Sequence, residues 1–189
     1  MIQTQLPLSS IAGNEVAKRA IEISLTGNHS INFIGNTEAI LLSNRARFLG
    51  LNSKSLKPCS CGNFKDPNNA CSCTPEQLQT HYNQLENLQA DLTIYTTKPT
   101  YEQIIRAYNN QNEAELTLLE RVKQAKTREI KIDLPKIDSL LSQATKTLLL
   151  DQLQFLKVLE ISKTIAKLAN SPEVENQHLA EALQYRFKT

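Results

Sequence analysis

Four cysteines within fifteen residues constrain this chain more than any other feature of its sequence. They form two Cys-x-Cys pairs separated by nine residues: Cys59, Cys61, Cys71 and Cys73. The surrounding segment, 51–73, is rich in Ser, Asn, Lys and Pro and shows no periodicity, so it is predicted to be a loop held by something other than a hydrophobic core. Asp66 and Pro67 predict a turn that brings the two pairs together.

Four thiolates suit a zinc ion, because zinc takes four sulfur ligands in a tetrahedral shell and thiols stay reduced inside cells. The single residue inside each pair makes a tighter chelate than the commoner Cys-x-x-Cys. Two alternatives stay open at this point. The cysteines can be free thiols left from an ancestral site, or a pair that oxidises after purification. Zinc is the expected cofactor.

Charge and length exclude several classes of protein. The 189 residues carry 21 Lys and Arg against 19 Asp and Glu, so a net charge of +2 gives no global attraction to nucleic acid or anionic lipid. No stretch approaches the roughly 18 apolar residues of a membrane span. The first ten residues lack the basic and apolar regions of a signal peptide. A cytoplasmic protein without membrane contact is therefore expected.

Apolar periodicity predicts a mainly helical protein with a small α/β part. Helices are expected over 14–26, 37–49, 74–88, 100–126, 137–149, 151–169 and 173–187. Strands are expected over Ile31–Ile34 and Leu92–Tyr95, and the first strand with its flanking helices makes half of a βαβ unit. Thr74 and Gln77 predict a capping box, so a helix should leave directly from the last cysteine pair. The helix over 100–126 is expected to be long and polar, and the last three helices to form a bundle.

Three sequence blocks resemble the magnesium-chelatase-like AAA+ ATPases of the ComM type. PCSCGxxxDPxxxCSCTPEQ at 58–77 is similar to the PCPCG...DP...CxCTPxQ element of that family. LSSIAGNEVAKRAIEISLTGNHSINFIG at 8–35 looks like its AAA+ entry, and VLEISKTIAKLANSPEVENQHLAEALQYR at 158–186 looks like its closing helices. The resemblance implies a truncated AAA+ core over 1–57, a four-cysteine zinc-knuckle-like insertion with a following helix and strand over 58–98, and a lid-like C-terminal helical domain over 99–189.

The residues that handle ATP in that family have no counterpart here. A P-loop needs a second Gly, a Lys and a Ser or Thr at fixed positions after the first Gly. In the frame that begins at Gly35, those positions hold Ile40, Leu41 and Leu42, which carry no charge for a phosphate. The segment 50–58 replaces the family's long Walker B region, and Leu153 replaces an arginine that reads nucleotide. A degenerate nucleotide site without bound ATP is expected, and no catalytic residue is assigned.

The remaining polar candidates have ordinary interpretations. His29, His81 and His178 lie apart from any nucleophile or carboxylate in triad order. His178 is expected to pack or to cap a helix. Four basic residues have two interpretations: they form either a small face that contacts DNA or an ordinary solvated helix surface. These are Lys18, Arg19, Arg45 and Arg47.

These observations favour a non-catalytic accessory or scaffold protein that docks on a protein partner, and a full-length AAA+ relative is one candidate for that partner. Two alternatives follow from the resemblance. One is a small DNA-binding module linked to recombination and competence. The other is a residual ATP-binding, magnesium-chelatase-like protein. A decaying gene product without a role is the remaining interpretation of the lost ATP residues.

Overall fold

A computed structural model describes residues 6–64, 70–86 and 90–186, and these residues form a mainly helical fold around a small parallel sheet. The strands are β1 (Ile31–Ile34), β2 (Ser53–Leu56) and β3 (Leu92–Tyr95). The helices are α1 (Glu15–Gly27), α2 (Thr37–Phe48), α3 (Pro75–Glu86), α4 (Tyr101–Tyr108), α5 (Glu115–Lys126), α6 (Leu134–Leu148), α7 (Gln152–Leu168) and α8 (Asn176–Gln184). A 3₁₀ turn over Leu8–Ser10 precedes α1. The predicted predominance of helix is confirmed.

The three strands pair in the order β2-β1-β3, and both pairings are parallel. Ile31 lies opposite Ser53 on one side and Leu92 on the other. The central strand β1 is buried along its whole length, as expected for an apolar run in a parallel sheet covered on both faces. The predicted strands over 31–34 and 92–95 are confirmed.

The prediction of a continuous loop over 51–73 is wrong at its start, because Ser53–Leu56 forms β2. Its sequence, SKSL, has no β-branched or aromatic residue and only one apolar side chain, so local propensity gives no strand signal. The strand exists because its backbone completes the edge of β1, and because the Ser53 hydroxyl donates to that of Ser43 on α2 at 3.0 Å. The half unit predicted from sequence is therefore a complete β1–α2–β2 unit.

The prediction of one long helix over 100–126 is also wrong. The chain forms α4 and α5 with a break between Tyr108 and Glu115. Asn110 adopts a left-handed conformation with φ of 53°, which Asn tolerates better than most residues, and this ends α4. The break allows α5 to turn and pack against α1. The predicted start is right, since Thr100 and Gln103 form a capping box.

One hydrophobic core runs through all three predicted segments of the chain. Its buried members extend from Leu8 and Ile11 through β1 to Ile165 in α7 and Tyr185 after α8. Helix α1 touches β1, β3, α5 and α7, and it is buried on most of its surface. The boundaries at residues 57 and 98 stay predictions, but the packing of the described residues continues across both of them. None of the described helices combines the length and apolarity needed to cross a bilayer.

Several predicted helix ends agree with the structure. Asp151 caps α7 through a capping box with Gln154. Asn28 follows the end of α1 in a left-handed conformation, so the helix ends at Gly27, one residue beyond the predicted end at 26. The last helix is shorter than predicted at both ends, because α8 begins at Asn176 and ends at Gln184. The expected turn at residues 66–67 and the helix end expected at 88 lie outside the described residues.

Two histidines, the half-buried His29 and the buried His178, predict that mild acid destabilises the fold. The His29 ring lies 2.9 Å from the Thr164 hydroxyl, and Nδ1 of His178 accepts a hydrogen bond from the Glu175 backbone. Burial lowers the pKa of both rings below the ordinary value of 6.5. Below pH 6.5 the unfolded chain therefore binds protons before the folded chain does, and folded-state stability is lost as the pH falls.

Urea unfolding at pH 7.5 and pH 5.5 tests this prediction. We expect the free energy of unfolding to be lower at pH 5.5 by on the order of 1 kcal/mol. His29→Asn removes one imidazole, so the difference between the two pH values should shrink in this variant. A difference that is unchanged in His29→Asn would contradict the assignment of this effect to the His29 ring.

Candidate metal centre at the edge of the sheet

The structure brings all four cysteines together beyond the end of β2. Their sulfur atoms lie within 4.8 Å of one another, and no other described residues form such a group of potential metal ligands. Sγ of Cys59 is 3.3 Å from that of Cys61 and 3.8 Å from that of Cys71. Cys61 and Cys71 are 3.6 Å apart, and all four thiols are free.

These distances fit a tetrahedral metal ion. A disulfide holds its sulfur atoms about 2.05 Å apart, well below any separation in the cluster. Four sulfurs at about 2.3 Å from a zinc ion lie about 3.8 Å from one another. The observed spacing of 3.3 to 3.8 Å is close to that value, so four cysteines that lie together in this arrangement can hold a metal ion.

Backbone N–H groups around the cluster favour thiolate sulfur. The amides of Phe64 and Cys61 donate to the sulfurs of Cys59 and Cys73 at 3.2 and 3.4 Å. Backbone hydrogen bonds from Asn63 and Ser72 lower the pKa of Cys61 to about 5. A thiolate at this position, surrounded by further sulfurs, is the ligand form that a divalent cation binds.

The thiols of Cys71 and Cys73 hold their protons more tightly, because their pKa values are raised. The Cys73 backbone hydrogen bond lowers the pKa of Cys71, but desolvation and the neighbouring thiols outweigh it and raise the pKa to about 12. The pKa of Cys73 is raised in the same way, against the effect of the Cys61 backbone. A metal ion would displace these protons, so its binding releases acid and tightens as the pH rises.

Three contacts fix the cluster to the rest of the fold. The side-chain amide of Asn36, in the turn after β1, donates to the carbonyl of Gly62 at 3.0 Å. Nε2 of His81 on α3 donates to the carbonyl of Lys57 at 2.7 Å, just before the first cysteine pair. Thr74 and Gln77 form the predicted capping box, so α3 does begin directly after Cys73.

Aromatic side chains connect the cluster with the end of β3. The rings of Phe64 and Tyr82 meet edge to face with their centroids 5.6 Å apart. Burial raises the pKa of Tyr82, and the nearby charges of Cys59 and Cys71 raise it further. Burial and the proximity of Tyr82 also raise the pKa of Tyr95, the last residue of β3, to about 12. The cysteine cluster therefore lies near the carboxyl ends of β2 and β3.

The residues of the P-loop frame occupy a tight turn and a packed helix. Gly35 and Asn36 alone join β1 to α2. Leu42, where the magnesium-binding hydroxyl would stand, is completely buried in the core, and Leu41 packs partly against it. Ile40 points outward and is 51% exposed. The predicted degenerate positions thus have packing or surface roles in this structure.

The crevice at the carboxyl edge of the sheet is filled by the chain itself. Open α/β sheets bind ligands where neighbouring strands connect in opposite directions, and in this sheet that point lies between β1 and β3. A Cβ atom placed on Gly35 would come within 1.9 Å of the Thr96 hydroxyl, so this side chain fills the space beside the turn. Next to it, Asn14 exchanges two hydrogen bonds of 2.9 Å with the backbone of Thr97.

The histidines and basic residues singled out from sequence do not converge on one site. His178 is buried and belongs to the cap of α8, in agreement with its packing and capping interpretation. Three of the four basic side chains form ion pairs with carboxylates, and the fourth bonds to an amide oxygen. The pairs are Lys18 with Glu15, Arg19 with Glu22 and Glu181, Arg45 with Glu115, and Arg47 with Asn44.

Sequence comparison finds a family model that is similar to the C-terminal half of the fold. Residues 95–186 match the family model described as magnesium chelatase, subunit ChlI C-terminal. The match begins at the end of β3, includes α4 to α8 and spans just under half of the chain, so this region is similar to that family. No curated protein matches the chain.

Proposed function

We propose that the protein is a non-catalytic, zinc-bound accessory protein of the reducing cytoplasm, derived from a ComM-type AAA+ ATPase, that docks on a protein partner. The observation that carries the proposal is the closed carboxyl edge of the sheet. Leu42 is buried where a magnesium-binding hydroxyl would be needed, and Thr96 fills the space beside Gly35. The Asn36 side chain bonds to the cysteine segment instead of facing an open phosphate site.

The cysteine cluster supports a structural role for zinc. Structural zinc sites use four protein ligands and leave no position open for a substrate. Four sulfurs within 4.8 Å of one another would fill the coordination shell completely. In this proposal the metal holds the chain above β1 and β3, and it takes no part in a reaction.

Exposed leucines near the start of α7 support docking on a protein. Leu153, at the position of the arginine that reads nucleotide in the resembling family, is 65% exposed. Leu149 and Leu156 are exposed close to it along the chain. Leu149 is also in a left-handed conformation, with φ of 50°, which is unfavourable for a side chain of this kind. A full-length AAA+ relative is the proposed partner for this leucine surface.

The first test is size-exclusion chromatography with light scattering, with and without a full-length AAA+ relative from the same source. We expect the two proteins to co-elute, and Leu153→Arg to weaken the complex at least tenfold. Leu116→Arg is the matched control, because Leu116 on α5 is 68% exposed and lies outside this surface. A protein that never co-elutes with the relative would contradict the docking proposal.

Nucleotide and DNA binding are tested separately on the metal-loaded chain. We expect no nucleotide binding, and therefore an unchanged melting temperature when magnesium and ATP are added. Binding would be visible, because a ligand at 100 times its Kd would stabilise the fold by about 2.7 kcal/mol. A saturable rise with ATP would support a residual nucleotide site instead. Salt-sensitive retardation of DNA would favour the DNA-binding alternative. We expect none, because Lys18, Arg19 and Arg45 are already paired with carboxylates.

A further inference from the structure

Helix α4 presents an apolar stripe to solvent. Tyr101, Ile104, Ile105 and Tyr108 follow the spacing i, i+3, i+4 and i+7, which places them along one side of a helix. Such a stripe normally faces a core. Here the two tyrosines are 73% and 82% exposed, and both isoleucines are exposed as well.

The opposite side of α4 anchors the helix to the protein. Ala107 is buried, and Gln103 closes the capping box with Thr100 and approaches Gly13. After the helix, the side chain of Asn112 donates to the carbonyl of Ser9 at 2.7 Å. The stripe therefore points away from the core because of how the helix is anchored.

The apolar residues of the stripe occur in the same order in both directions along α4, and this symmetry indicates which partner fits the stripe. Tyr-x-x-Ile-Ile-x-x-Tyr is a palindrome of apolar positions. If two such helices meet antiparallel across a two-fold axis, the isoleucines meet at the centre and Tyr101 of each copy lies near Tyr108 of the other. An isologous contact requires this kind of self-complementary surface. We propose that two copies of this chain associate through antiparallel α4 helices.

Two charges beside the stripe fit the same arrangement. Glu102 and Arg106 are one turn apart on the same flank of α4. The Glu102 carboxylate accepts hydrogen bonds from the Thr100 side chain and from its own backbone N–H, and neither charge forms an ion pair with a described residue. In an antiparallel pair, Glu102 of each copy lies at the level of Arg106 of the other, which gives two equivalent attractions across the axis. A parallel pair would place the flanks on opposite sides of the contact and lose both attractions.

The size of the stripe sets the strength of the contact. Two tyrosines exposed to this extent offer roughly 300 Å² of surface, whereas a standard interface buries about 800 Å² per partner. The apolar stripe thus supplies less than a standard interface, and the dimer is weak, with a Kd in the micromolar range or above. This self-association is independent of the docking proposed for the leucine surface on α7.

Sedimentation velocity of the full, metal-loaded chain over a wide concentration range tests the proposal. We expect a reversible monomer–dimer equilibrium, with Ile104→Lys weakening it at least tenfold. Because Ile104 is on the surface, this variant should keep the circular dichroism and melting temperature of the parent. Leu153→Arg should leave the dimer unchanged, and this result separates the contact from the docking surface on α7.

Charge reversal tests the antiparallel arrangement. Glu102→Arg and Arg106→Glu should each weaken the dimer about tenfold, since each places like charges across the axis twice. The double variant should recover the parent's affinity, and a mixture of the two single variants should form a heterodimer. A chain that stays monomeric at every concentration, or a dimer unaffected by Ile104→Lys, would overturn the proposal. Failure of both charge rescues would overturn the antiparallel contact.

Discussion

Replacing Cys59 with serine is expected to abolish metal binding and to lower the melting temperature by about 10 °C, which corresponds to a loss of about 3 kcal/mol in a domain of this size. Cys59 is the buried member of the cluster, and its sulfur accepts the Phe64 amide at 3.2 Å. A serine oxygen is a poorer zinc ligand than a thiolate, so three sulfurs would remain around an incomplete shell. Complete unfolding is not expected, because the core around α1 and β1 lies apart from the metal ligands.

Metal content and thermal melting, measured on protein purified without chelator, check this prediction together. The parent should hold about one zinc per chain and should lose stability when a strong chelator is added. Ser72→Ala is the matched control, because Ser72 is exposed between two of the ligands and keeps its backbone N–H after the change. Equal metal content in Cys59→Ser and the parent would refute a four-cysteine site. A metal-free parent insensitive to chelator would leave the thiols as ancestral remnants.

Glu22→Gln is expected to lower the free energy of unfolding by about 2–3 kcal/mol, or the melting temperature by about 5–10 °C. The Glu22 carboxylate is 2% exposed and pairs with Arg19 at 2.8 Å and with Arg121 at 2.7 Å. The neutral amide loses both charge attractions in a buried position. The loss stays below that of an isolated buried pair, since Arg19 keeps Glu181 and Arg121 keeps Glu113.

The geometry around Glu22 gives this buried carboxylate a larger expected effect on stability than the surface carboxylates. It lies beside a charged cleft of about 200 Å³ between α1 and α5, and its ion pair with Arg121 joins α1 to the region that matches the family model. Urea unfolding of Glu22→Gln and of Glu120→Gln, an exposed carboxylate on α5, measures the difference. The control should change by less than 0.5 kcal/mol, as surface substitutions usually do. Equal small losses in both variants would contradict a structural role for the Glu22 ion pairs.

The helices and two of the strands could be predicted because their signals are local. The apolar run Ile31–Ile34 and the caps at Thr74, Thr100 and Asp151 each specify an element within a few residues, and all appear in the structure. β2 could not be predicted in this way, because SKSL becomes a strand only when β1 provides its partner. The break between α4 and α5 depends on packing against α1. The only local sign of it is that the sequence between residues 108 and 115 is rich in Asn.

The candidate site, too, could be predicted only in part from the sequence. Four cysteines at short spacing predict their own proximity, and the structure places them together. The surrounding residues Asn36, Phe64 and Tyr82 carried no signal, since they come from the turn after β1, the loop and α3 and meet only in the folded chain. The stripe on α4 was not predicted, because the helix over 100–126 was expected to be polar. An exposed stripe and a buried one have the same sequence, so its exposure could only be learned from the fold.

The position of α1 in the core has a consequence for how the chain folds. α1 is near the start of the chain, yet it packs against α7, and its Arg19 pairs with Glu181, which is 162 residues away in sequence. Contacts over such separations require large loops to close, which slows folding. During synthesis, part of the apolar surface of α1 stays uncovered until α7 has left the ribosome. The nascent chain therefore exposes an aggregation-prone helix during this interval, which favours protection by chaperones.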